Sequence, residues 1–160
     1  MNNEKQRAEI LQKELGLLAH PEGGFYSEIY RSTMKVQVNG KDRAALTSIY
    51  FLLTRGQVSR WHVVDADEAW HYYEGSPLEL HVMPPDFSSV EIIRLGPFGN
   101  GIKPVHVVPA GWWQASITSG EHTLTGCTVA PGFEFSGFRM LNEEEKAKVK
   151  EQYPDLTFLV

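Results

Sequence analysis

From Pro21 to Met140 the chain is a succession of short apolar or alternating runs, each cut off by turn-forming residues. Asn39-Gly40 interrupts Val36–Lys41 with the residue pair that suits a tight hairpin, where both central positions take positive φ. Ala44–Leu53 reads as a strand buried on both faces. Pro77–Met83, Val90–Leu95, Val105–Val108, Trp113–Ile117, Thr123–Val129 and Phe133–Met140 read as further strands, separated by Pro84-Pro85-Asp86, Gly96–Gly101, Pro109-Ala110-Gly111 and Ala130-Pro131-Gly132. Turn signals recurring about every 8–12 residues, with helical patterns only at the ends, predict an all-β sandwich or barrel.

The expected single domain divides into an N-terminal helix (1–19), a β region (20–141) and a C-terminal helix and tail (142–160). In the first segment Ala8, Leu11, Leu15 and Leu18 make a helical stripe, which His20-Pro21 ends because a residue before proline avoids the α region. In the last, Asn142 is the expected N-cap of a charged helix to about Gln152. The glycine-led strand around Phe25 is polar on both faces, so it is expected against a site or a partner subunit.

With a net charge of −5 and scattered basic residues, the chain lacks the basic face of a nucleic-acid binder. No apolar run approaches the ~20 residues that span a bilayer, and no basic amphipathic helix suggests a membrane surface. The amphipathic N-terminus is unlike a secretory signal, and the lone Cys127 fits a reducing compartment, so a cytoplasmic protein is expected. Cys127 lies in an apolar strand and reads as a small core residue rather than a nucleophile. The expected partner is a small molecule.

Chemistry concentrates between Gly56 and Gly75, where His62, Glu68 and several aromatics flank the elbow Asp65-Ala66-Asp67. Two antiparallel strands joined at that elbow would set His62 and Glu68 across from one another. The spacing Gly56, five residues, His62-Val63-Val64, three residues, Glu68, six residues, Gly75 resembles the first cupin motif, with Val64 in place of its second histidine. Pro109-Ala110-Gly111, two residues, Gln114 resembles the second, with Gln114 in place of its histidine. Together with His20-Pro21-Glu22-Gly23-Gly24, Trp70-His71, Trp113-Gln114-Ala115 and Val129-Ala130-Pro131-Gly132-Phe133, these strings resemble the cupin-5 family of uncharacterised cupins. The resemblance, from about Leu15 to Leu141, implies a jelly-roll β-barrel holding a pocket, and a homodimer.

A typical cupin site has three imidazoles and one carboxylate, good ligands for a transition ion. Here His62, Glu68 and Gln114 would offer only a weak divalent site, so no cofactor is the leading expectation. Without metal, His62 is the expected base, oriented by Glu68, with Tyr72 returning a proton. That is the logic of a sugar epimerase or isomerase, and the metal-free nucleotide-sugar epimerases of the cupin superfamily offer an analogy of fold. The blander reading of His62 and Glu68 is a mutually satisfied buried pair.

Strand parity places Trp70 and Tyr72 with Glu68, and Trp112 with Gln114, as aromatic walls for a sugar or planar ring. Arg60 shares the parity of His62 and would pair with a substrate carboxylate or phosphate. His71 and Glu134 are further candidates for ligand contact, with their direction left open. The alternatives to an epimerase are a metal-dependent oxygenase or hydrolase and a non-catalytic ligand-binding barrel.

Overall fold

The computed structural model describes residues 3–160. Helix α1 (Asn3–Glu14) leads into β1 (Leu18–Ala19), β2 (Phe25–Arg31), and the hairpin β3 (Lys35–Val38) and β4 (Lys41–Ala44). Strands β5 (Thr47–Thr54), β6 (Val58–Val64), β7 (Asp67–Gly75), β8 (Leu78–Met83) and β9 (Glu91–Leu95) follow. After β10 (Val105–Val108), β11 (Trp113–Thr118) and β12 (His122–Ala130) come a 3-10 turn at Phe135–Gly137 and β13 (Phe138–Met140). Helix α2 (Glu143–Gln152) and a 3-10 segment (Pro154–Leu159) close the described chain.

A six-stranded antiparallel sheet runs β1-β2-β5-β12-β7-β10, and a five-stranded one runs β13-β6-β11-β8-β9. The chain passes repeatedly from one sheet to the other, the path of a jelly roll. At one end the two inner faces close on a core containing Leu53, Trp70, Leu78, Leu80, Val82 and Leu95. At the other end they stay apart and leave a cavity. Phe51 and Cys127 belong to both the core and the cavity lining and form the floor between them. Helix α2 and the C-terminal segment cover the outer face of the five-stranded sheet, burying Trp61, Trp113, Val149 and Leu159 together. Asn142 caps α2 as expected, and a capping box with Glu145 completes it. Asn39 and Gly40 turn the β3–β4 hairpin with φ of +50° and +75°.

Some expected boundaries move. Residues 1 and 2 of the expected 1–19 helix fall outside the described residues, and α1 ends at Glu14. Gly16 at φ +63° turns the chain out of the helix, so Leu18 enters β1 and stands exposed instead of completing the apolar stripe. The Phe133–Met140 run holds a 3-10 turn at Phe135–Gly137, with a strand only at Phe138–Met140. The elbow at Asp65–Asp67 does not pair β6 with β7, which lie in different sheets. Its acids tie to other loops: Asp65 accepts two hydrogen bonds from Arg43 (2.7 and 3.0 Å), and Asp67 accepts one from Ala110 N–H (2.9 Å). His62 therefore has Gln114 and Met140 as strand neighbours, while Glu68 has Val108 and Val129.

Candidate functional site

The cavity encloses about 290 Å³ between the sheets. Its polar lining includes His20, Glu22, His62, Glu68 and Cys127, and its aromatic walls are Tyr26, Phe51, Phe133, Phe135 and Phe138.

Glu22 is brought in by the loop between β1 and β2. Gly23 (φ +111°) passes so close to β6 that a Cβ there would run into the Val58 carbonyl oxygen. That approach lets the Arg60 N–H donate to the Glu22 carbonyl (2.8 Å) and the Arg60 guanidinium to the Pro21 carbonyl (2.8 Å). Loop and strand are clasped, and the Glu22 carboxylate is buried.

There it accepts from the Ser59 hydroxyl (2.9 Å) and lies 3.0 Å from His62 Nε2. His62 Nδ1 is 2.7 Å from the Arg60 carbonyl oxygen, which can only accept. Nδ1 thus carries a proton, and the opposed shifts of the two groups favour the shared proton on Nε2, an imidazolium facing a carboxylate. Burial opposes a charged His62, but the charge and hydrogen bond of Glu22, with help from Glu68 and the Arg60 carbonyl, hold it above its ordinary value. Burial likewise pushes Glu22 up, yet His62, His20 and Ser59 outweigh it and hold Glu22 below the ordinary carboxylate range.

His20 differs. Its Nδ1 accepts from the Glu22 N–H (3.2 Å), so the proton sits on Nε2 and the 3.5 Å approach to the Glu22 carboxylate is no ion pair. Burial keeps its ring neutral.

Glu68 has another kind of neighbourhood. The Trp70 indole N–H donates to Gln114 Oε1 (2.7 Å), which leaves the Gln114 amide N–H to donate to Glu68 Oε2 (2.5 Å). Burial pushes Glu68 up; His62 and Gln114 pull it down, Glu22 pushes it further, and the balance lies above the ordinary carboxylate range. The Cys127 thiol beside it is pushed up strongly by burial and the nearby carboxylates, so it is no nucleophile.

These bonds test the metal set. Both nitrogens of His62 are engaged, the Gln114 oxygen holds the Trp70 indole, one Glu68 oxygen holds the Gln114 amide, and Val64 lines the cavity without a donor. No group of three or more His, Cys, Asp or Glu among the described residues is arranged to hold a metal ion. The trio His62, Glu68 and Gln114 does not fit a divalent ion.

Other expected site residues lie elsewhere. A β-bulge in β6 sets Ser59 opposite Ser116 and His62 opposite Gln114. The bulge resets the alternation, so Arg60 leaves the lumen and clasps Pro21 instead of facing a ligand. Tyr72 keeps the regular register of Glu68 and Trp70 but lies two residues beyond Trp70, outside the cavity lining, its hydroxyl donating to the Gly75 carbonyl (2.7 Å). Trp70 and Trp112 pack in the core, and His71 lies outside the lining, in register with Gly126 and Val105. Glu134 does reach the rim, 3.3 Å from Arg31 Nη1. Strand β2 lies against the site, as its polarity suggested, through Tyr26, Glu28 and Arg31. Spacing alone passes over Glu22 as the partner of His62. The available signal was a glutamate followed by two glycines, which allow a close backbone approach.

Residues 9–141 match the family described as cupin superfamily (DUF985). The chain belongs to the Cupin_5 family. This cupin is 33% identical to a hypothetical protein from Leishmania major, over 95% of this chain and 96% of that one, with a TM-score of 0.83. It is also 33% identical to a Shewanella oneidensis protein, SO0799, over 94% and 92% of the two chains, with a TM-score of 0.82. KdgF from Halomonas sp. shares the fold at 13% identity, over 78% and 93%, with a TM-score of 0.55. No protein of curated function matches the sequence. No described helix is long and apolar enough to cross a membrane.

Proposed function

We propose that this cupin binds a small carbohydrate-like molecule and moves protons on it without a metal, as an isomerase or epimerase does. One observation carries the reading: two buried carboxyls line one aromatic cavity with opposite partners, Glu22 against the His62 ring and the Ser59 hydroxyl and Glu68 against the Gln114 amide, which holds Glu22 below and Glu68 above the ordinary carboxylate range. Such a divergence marks an acid and a base.

In the proposed step, Glu22 with its His62 partner accepts a proton from the carbon beside a carbonyl, and the Glu68 carboxyl gives one to the carbonyl oxygen. The reverse transfer on the same or the opposite face returns the proton to carbon. Glu22 and His62 titrate as one unit, so His62 stabilises the developing charge instead of acting as the free base expected from spacing. The 290 Å³ cavity is at the small end of ligand sites, which suits a monosaccharide-sized group. A nucleotide sugar would leave its nucleotide outside. Cytoplasmic residence and a homodimer belong to the same proposal; sedimentation of the purified chain as a monomer at micromolar concentration would remove the dimer.

Proton NMR of small aldoses and ketoses in D2O is the test, following deuterium uptake beside the carbonyl. Uptake should survive a chelator and vanish in Glu22→Gln and Glu68→Gln variants that remain folded by circular dichroism. Uptake lost to the chelator and restored by one particular ion would give the reading over to metal chemistry. Ligand binding without exchange from pH 5 to 9 would make the protein a non-catalytic binding barrel.

A further inference from the structure

We infer that the cavity selects a small organic cation, a protonated amine on a compact polar skeleton, and turns away phosphates and carboxylates. The inference rests on the reading of the cavity as a small-molecule site and names the charge class it takes.

The charged lining is lopsided. Glu22, Glu28 and Glu134 stand against Arg31 and His62, with Glu68 and His20 both held toward their neutral forms, and no lysine joins them among the described residues. Each cation already has an acceptor. Arg31 makes a forked pair with Glu28 (2.9 and 2.9 Å), lies 3.3 Å from Glu134 and donates to the Phe133 carbonyl (2.9 Å). His62 spends both nitrogens on Glu22 and the Arg60 carbonyl. Arg60, two residues before His62, is clasped outside the lumen. An incoming phosphate would have to displace a carboxylate from Arg31 and would then meet several more. A single positive charge would balance the excess instead.

The wall beside those carboxylates suits a cation as well. Phe133, Phe135 and Phe138 meet edge to face, with ring centroids 5.0 to 6.1 Å apart, and His20 stacks on Phe135 at 6.2 Å. Aromatic faces carry negative quadrupole potential and attract ammonium groups. Glu134 lies between Phe133 and Phe135 in sequence, so one segment presents both rings and carboxylate. That segment is fixed at both ends: the Phe133 N–H donates to the Thr47 hydroxyl (2.8 Å), and the Gly137 carbonyl accepts from the Asp65 N–H (3.0 Å).

Two matched probe sets test the selection by NMR titration of the isotope-labelled full chain in low salt at pH 7. One set is glucosamine, glucose, glucuronate and glucose 6-phosphate; the other is benzylamine, benzyl alcohol and benzoate. In at least one set the ammonium member should bind about tenfold more tightly than its neutral partner, and the anions more weakly still. The paired substitution Glu28→Gln with Glu134→Gln changes only rim side chains. It should cut the ammonium preference about fivefold or more and, by freeing Arg31, admit the anions. Anions binding most tightly to the unaltered protein, or a preference unmoved by the paired substitution, would overturn the charge selection and leave the pocket reading standing. If no probe of any charge moves resonances of the cavity residues, the selection and the pocket reading fall together.

Discussion

Glu22 and Glu68 share one cavity and nearly the same depth, with 5% and 7% of their surfaces exposed, yet they are shifted in opposite directions from the ordinary carboxylate range. Burial pushes both toward the neutral acid. What separates them is the company each keeps. Glu22 receives donors from Ser59 and an imidazolium, whereas Glu68 receives an amide and sits in the negative field of Glu22 itself. A buried carboxyl's charge is therefore a statement about its hydrogen-bond partners more than about its depth.

The sharpest way to break this comparison is to neutralise each carboxyl in turn. Glu22→Gln leaves the His62 imidazolium without its counter-charge and should cost about 3 kcal/mol in urea unfolding at pH 6, near the low end for a broken buried pair because His62 can shed its proton. Glu68→Gln removes no counter-charge from a histidine in hydrogen-bond contact and should cost less than about 1 kcal/mol. Equal losses would mean that the two carboxyls share a protonation state.

A pH series of thermal unfolding sharpens the same contrast. His62 is held above its unfolded value of 6.5, so its contribution is fully present below about pH 6.5 and is lost as pH rises through the folded value. Glu22 is held below 4.5, so its contribution is present above about pH 4.5 and is lost as pH falls through the folded value. Glu68 has the reverse sign: burial holds its folded value above 4.5, so stability falls as pH rises from about 4.5 through that raised value. The unaltered protein should therefore lose stability above pH 6.5, and Glu22→Gln should flatten that decline. An unchanged slope in Glu22→Gln would show that His62 is not held by Glu22.

The smallest expected effect belongs to Tyr72→Phe. Removing a hydroxyl tied to the Gly75 carbonyl at a partly exposed site should cost about 1 kcal/mol or less and leave ligand affinity and exchange untouched. A loss of turnover in that variant would return Tyr72 to the site.

The barrel was legible because its signals are local. Asn39-Gly40 announces its hairpin through its own backbone preference, and Asn142 announces the start of α2 through its side chain. The site was half legible. His62, Glu68 and Glu134 do line the cavity, but alternation carries Arg60 into it only if the strand is regular, and it cannot say how far along β7 the cavity reaches, which leaves out Tyr72, two residues beyond the core residue Trp70. The bulge in β6 adds a residue to that strand and not to its neighbour, and single-strand parity has no term for that.

By itself the sequence determined the alternation of strands and turns, the family resemblance and the absence of a basic face, since each rests on neighbours in the chain or on composition. Only the tertiary structure decided that Glu22, forty residues before His62, is its partner, and that Gln114 is committed to Trp70 and Glu68 instead of a metal. The reason is physical. A buried polar atom must find a partner, and which partner lies within 3 Å is settled by how the two sheets close, not by distance along the chain.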